Sequence, residues 1–248
     1  MSRSTPLSLV AAAVACSLLS ACGGSHPSTG TSRTPQPGAS AGSNASALDR
    51  AVVGVNQTRD PLIAGMNAVV VAANHIDAVD AASGSGDLKR ARKARQDNAL
   101  DAAAVSQLVT RLPALLRAYS AALGRLSAAA RTRDMPVRMS AAVTTVARAG
   151  QAETDADGVF IASVGSAWPS YAVLFGMSTL WYERVSGDWY DGRKQAEQEY
   201  TVLTSPLRGA TRKASGLFAK SDETRRSAAD QWAATLEEVR PILYPAKK

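Results

Sequence analysis

The sequence predicts an all-α protein: an antiparallel helical bundle with one long helix kinked near Pro113, preceded by a disordered tether. From Ala47 onward apolar residues recur at steps of three and four, the period of a helix with one buried face. No stretch alternates apolar and polar residues convincingly enough for a half-buried strand. Many stripe positions are Ala, which lets helix axes approach closely and favours antiparallel packing.

The elements follow in order. Asp60-Pro61 reads as an N-cap with Pro at the first helical position, and Leu62, Met66, Val70, Ala73, Ile76 and Val79 line one face behind it. Ser83-Gly84-Ser85-Gly86 ends that helix. A second stripe runs through Leu100, Ala104, Leu108, Leu112, Leu115, Tyr119, Leu123 and Leu126. It passes Pro113 without losing phase, so one long kinked helix is expected there. Asp134 and Pro136 start a third helix carrying Met139, Val143 and Val146. Ser205-Pro206 and Ser221-Asp222-Glu223 look like two further helix starts, and Trp232, Leu236 and Val239 line the last helix before Pro241.

Val159 to Tyr182 carries no charge and concentrates the aromatic residues. It reads as a central core helix with Pro169 in its first turn. Two other readings compete. Phe160, Trp168, Tyr171, Phe175, Trp181 and Tyr182 could wall a pocket for a lipid, polyketide or glycan. By length the segment could also span a bilayer, but Pro169, two internal Gly residues and several Ser and Thr argue against that.

Charge narrows the partners. The densest run is Lys89, Arg90, Arg92, Lys93 and Arg95, which at helical spacing wraps more than half the circumference. It is either a solvated helix end, partly answered by Asp97 and Asp101, or a patch for anionic head groups or an acidic partner. Nucleic acid is a poor candidate despite the net charge of +7, since no nucleic-acid-binding motif is present.

Metal and catalytic signatures are sparse. Glu153, Asp155, Asp157, Gly158 and Phe160 match part of a calcium loop, but Val164 stands where the bidentate Glu belongs. An acidic turn between helices is the expectation there, and neither metal nor cofactor is expected. His26 lies in the tether, which leaves His75 alone in the folded part. Asp77 and Asp80 are its neighbours in sequence, but Asp77 falls on another side of the helix. There is no partner thiol and no Gly-x-Ser-x-Gly elbow, so no enzyme activity is expected.

The amino terminus supplies the most specific motif. Arg3 precedes an apolar run from Leu7 to Leu19, too short to span a bilayer as a helix. Leu19-Ser20-Ala21-Cys22 closes it, followed by Gly23-Gly24. This resembles the signal peptide and lipobox of bacterial lipoproteins. The resemblance implies removal of residues 1–21, lipidation of Cys22 and attachment to the outer face of the cell membrane. The count of 21 Arg against 7 Lys fits a high-GC genome such as that of an actinobacterium.

Cys16 would leave with the signal, so the mature chain would keep only the lipidated Cys22 and neither thiol nor disulfide. Residues 22–46, mostly Gly, Ser, Thr, Pro and Ala, are expected to form the tether, with a span of about 25–30 Å as a coil. Residues 47–248 are expected as one helical domain, enough for a sizeable core. The expected role is a non-enzymatic binding or structural one in the envelope. The partners would be the membrane through Cys22 and an envelope protein, lipid or glycan. A carrier or receptor for a hydrophobic ligand in the aromatic part of the bundle is the alternative.

Overall fold

The structure, a computed structural model, describes residues 40–97, 100–132, 135–186 and 193–244. Among them are five helices and no strand: α1 (Ser40–Gly84), α2 (Leu88–Asp97), α3 (Ala102–Ala129), α4 (Val137–Ser186) and α5 (Arg193–Leu243). Helix α1 thus begins ahead of the expected boundary at Ala47. Residues 22–39 of the expected tether, with Cys22, lie outside the described residues, as does Asp134.

Several stop and start signals in the sequence do not act as such. Pro61 lies inside α1, Pro113 inside α3, Pro169 inside α4 and Pro206 inside α5. Pro61 and Pro169 therefore do not open helices, and α5 runs unbroken past both Ser205-Pro206 and Ser221. The physical reason is placement. All four sit on exposed faces, as does Pro241, which lies inside α5 and does not stop it. Each removes one amide bond to the carbonyl four residues back. For Pro61, Pro169 and Pro206 that carbonyl belongs to an exposed residue, Gln57, Gly165 or Val202, where water can take the bond.

The expected caps are also used otherwise. Ser221 Oγ donates to the Leu217 carbonyl at 2.8 Å, one turn back in the same helix. Asp222 is occupied by arginines further along α5. True caps sit elsewhere. Asp87 Oδ1 accepts the Arg90 amide at 3.0 Å to open α2, and Asp101 Oδ1 accepts the Ala103 and Ala104 amides to open α3. Helix α1 does end as expected: Gly86 adopts φ 69° just beyond it, a conformation that favours glycine.

The described residues fall into two compact units, and four of the helices pass within themselves from one to the other. One unit takes the residues up to Asp60, Tyr119–Gln151 and Asp230 onward. Its core holds Leu48, Val55, Tyr119, Leu123, Leu126, Val143, Val146, Trp232 and Val239. Gly150 allows close packing there, since a Cβ on it would lie 2.6 Å from Leu123 Cδ2 and 3.2 Å from Trp232 Nε1. Arg59 lies over the Trp232 ring at 4.3 Å.

The other unit takes Pro61–Ala118 and Ala152–Ala229. Its pairings establish the antiparallel register. Along α4 the residues Phe160, Tyr171 and Trp181 meet Arg225, Phe218 and Tyr200 of α5, so one number rises as the other falls. Asn67, Asp77 and Asp80 of α1 meet Arg225, Ser215 and Arg208 in the same sense. Trp168 donates to Ser106 of α3 at 3.0 Å, while Gly158 faces Leu116. Helix α2 lies on α4 through Arg92 and Arg95.

Two helical stretches, Ala47–Gly84 and Val137–Val185, are long and apolar enough to cross a membrane, by length and composition alone. Within α4, however, Glu153 and Asp157 are both fully buried in the packed helices, and the rings of the charge-free segment pack against α5.

Candidate functional site

The aromatic segment forms packed core. Tyr171 stacks between Trp168, with ring centroids 6.3 Å apart, and Phe218 at 5.4 Å; Phe160 closes the group at 6.3 Å from Phe218. Phe160 and Tyr171 are fully buried. Trp181 packs on Tyr200 at 5.2 Å, with Ala82, Ala91 and Val185 around them. Burying such rings contributes about 1.5–3 kcal/mol each, with up to about 1.5 more per ring pair. Phe175 and Tyr182 are half-buried. The six residues of the competing pocket reading are thus distributed along a helix whose rings pack as core, the main expectation for this segment. An apolar groove of about 160 Å³ reaches Trp181, and another of about 40 Å³ lies beside Trp232 in the first unit. Neither is walled by Phe160, Trp168, Tyr171 or Phe175.

The basic run is partly answered. Arg92 Nε donates to Tyr182 Oη at 3.2 Å, and Lys93 pairs with Asp97 at 2.8 Å. Arg95 bonds the Thr179 carbonyl and lies over the Tyr182 ring at 5.1 Å. Lys89 and Arg90 are exposed. Two of the five side chains thus clamp α2 onto α4, and the free part of the patch is smaller than the run implies.

The acidic turn expected at Glu153 to Gly158 is not a turn. It lies within α4, and Glu153 and Asp157, four residues apart, enter the interior together. The helical backbone cannot wrap an ion as a calcium loop does. Among the described residues no group of three or more His, Cys, Asp or Glu could hold a metal.

The arrangement with most chemical capacity was not legible in the sequence. Asp77 and Asp80, one turn apart on α1, face α5 across a recess of about 430 Å³. Asp77 Oδ2 accepts Ser215 Oγ at 2.9 Å and Tyr171 Oη at 3.3 Å; the Thr211 carbonyl is also within 3.4 Å of that phenol. Asp80 Oδ1 accepts Tyr200 Oη at 2.6 Å and Arg208 Nε at 3.3 Å. Ser178 Oγ lies 2.8 Å from Tyr200 Oη, and it is the donor because the phenol proton is given to Asp80. Arg208 lies over the Tyr200 ring at 5.3 Å.

The electrostatics fit donors holding acceptors in place. Burial raises Asp77 above the usual carboxylate range, against the lowering effect of Ser215 and Tyr171, and Asp80 nearby adds to the rise. Burial, with a carboxylate beside each phenol, pushes Tyr171 and Tyr200 up to about 12. Both phenols stay protonated at neutral pH and act as hydrogen-bond donors. The partners come from residues 94, 120, 128 and 138 positions away, so no local spacing announces the site. The one available hint was that Asp77 and Asp80 follow the apolar stripe so closely.

No protein-family model, curated protein or solved structure matches the chain.

Proposed function

We propose that the chain is a membrane-anchored cell-envelope lipoprotein whose helical bundle works by binding rather than by catalysis. The observation that carries the binding role is the recess between α1 and α5. Its carboxylates are held by hydroxyl donors, and its Arg208 guanidinium is held by donating to Asp80, an arrangement suited to receiving a polar group without rearrangement. The phenols are too weakly acidic to move protons near neutral pH, which favours holding a ligand over transforming one.

The anchor rests on Leu19-Ser20-Ala21-Cys22 and on the length of the apolar run before it. The lipoprotein pathway adds at least two acyl chains, and two give stable attachment where one would not. A carrier of hydrophobic ligands is the competing reading. The stacking of Trp168, Tyr171 and Phe218 on one another counts against it, because rings that pack together leave no space between them.

Detergent phase partitioning after expression in a bacterium with a lipoprotein pathway tests the anchor. The wild type is expected in the detergent phase, and Cys22→Ala in the aqueous phase once residues 1–21 are removed by a protease site placed before residue 22. Equal partitioning of the two would contradict lipidation at Cys22.

A further inference from the structure

The recess presents unlike charges on its two walls. On the α1 wall, Asp77 receives both of its hydrogen bonds at Oδ2, from Ser215 and Tyr171. Neither of these bonds engages Oδ1, and Asp77 lines the recess. On the α5 wall stand Arg208 and Arg212. Arg208 gives Nε to Asp80, but its Nη2 is buried without any acceptor. Nη2 lies against Gly84, where a Cβ would overlap it. With Nη2 packed on Gly84, a ligand would meet the remaining accessible quarter of the Arg208 side chain. Arg212 is exposed at the same wall and adds a second cationic fork.

We propose that this recess binds a small zwitterion, an amino acid or short peptide. Its ammonium group is held by Asp77 Oδ1, and its carboxylate lies between Arg208 and Arg212. A simple amine would meet two arginines that repel it, and a simple carboxylate would meet Asp77 and Asp80. Only a ligand carrying both charges answers both walls. A neutral sugar fits less well, because no aromatic face lines the recess to stack on a pyranose ring. The volume of about 430 Å³ accommodates a molecule of one or two residues. This proposal rests on the binding role given above and names its ligand class.

Isothermal titration calorimetry of the detergent-solubilised chain is the test, with L-alanine, D-alanine, alanylalanine, ethylamine and acetate as probes. At least one of the three zwitterions is expected to bind at least tenfold tighter than ethylamine or acetate. Asp77→Asn, whose amide oxygen can still accept from Ser215 and Tyr171, is expected to weaken that zwitterion at least tenfold. Arg212→Ala changes an exposed side chain, and the same loss is expected with an unchanged melting temperature. Gly84→Ala is expected to displace the Arg208 guanidinium and to weaken the zwitterion as well.

Ethylamine or acetate binding as tightly as the zwitterions would overturn the ligand class while leaving the binding role intact. Absence of zwitterion binding at millimolar concentration would overturn the proposal. Anchorage is read independently by the phase partitioning of Cys22→Ala.

Discussion

Arg225 carries a full charge into the interior with only 2% of its surface exposed. It is tolerated there because Asp222 accepts from Nε at 3.0 Å, Asn67 accepts from Nη2 at 2.8 Å, and the Phe160 ring lies 5.4 Å away. Removing one partner of a buried pair strands the other, so Arg225→Ala is expected to lower stability by about 3–5 kcal/mol. Arg240 pairs with Glu237 at the surface, both about half exposed. Arg240→Ala should cost less than about 1 kcal/mol. Urea denaturation of the two variants measures the contrast.

Tyr171 and Tyr200 make a second residue-scale prediction. Each ionises near 10 in the unfolded chain and near 12 in the folded one, so the folded state keeps protons that the unfolded state has lost. Their contribution is fully present below pH 10 and is lost as pH rises from 10 toward 12. Absorbance titration at 295 nm should show a late step to which Tyr171 and Tyr200 contribute. Phenylalanine at both positions should reduce that late step by two tyrosines.

At the scale of the element, the chain separates what helical period reveals from what local stop signals reveal. Leu62, Met66, Ile76 and Val79, chosen by spacing alone, are all buried, because burial of one face is what fixes the period. The same spacing failed at Ala104, which is exposed near the start of α3. Prolines misled because their local cost was read without knowing which face they occupy. Pro206 illustrates the point: it is exposed and four residues beyond the exposed Val202. If α5 is one continuous helix, Pro206→Ala restores an amide donor and should raise the melting temperature, by up to about 3 kcal/mol in stability. Gly216, exposed and with open space where a Cβ would stand, should give about 1 kcal/mol on replacement by Ala. A fall in stability for Pro206→Ala would indicate a helix start at that proline.

For the molecule as a whole, the all-α class was legible and the candidate site was not. Class follows from periodicity that every helix repeats, whereas the recess depends on which helices become neighbours. Asp77 and Ser215 meet across 138 residues, and no spacing rule encodes that meeting. The aromatic run drew attention for the opposite reason. Uncharged and ring-rich, it resembled a ligand wall, yet rings of that size are also what fills a core whose stripes are largely Ala. Part of the positive charge is structural, since Arg92 and Arg95 hold α2 to α4.

The two proposals are an anchored amino terminus and a bundle that binds a small polar ligand. Native mass spectrometry of the protein released from the membranes of its own host reads both at once. The expected spectrum shows a chain beginning at Cys22, carrying acyl mass, with a small zwitterion adduct that disappears in Asp77→Asn. A chain that retains residues 1–21, or one that carries a noncovalent lipid in place of the polar adduct, would contradict it.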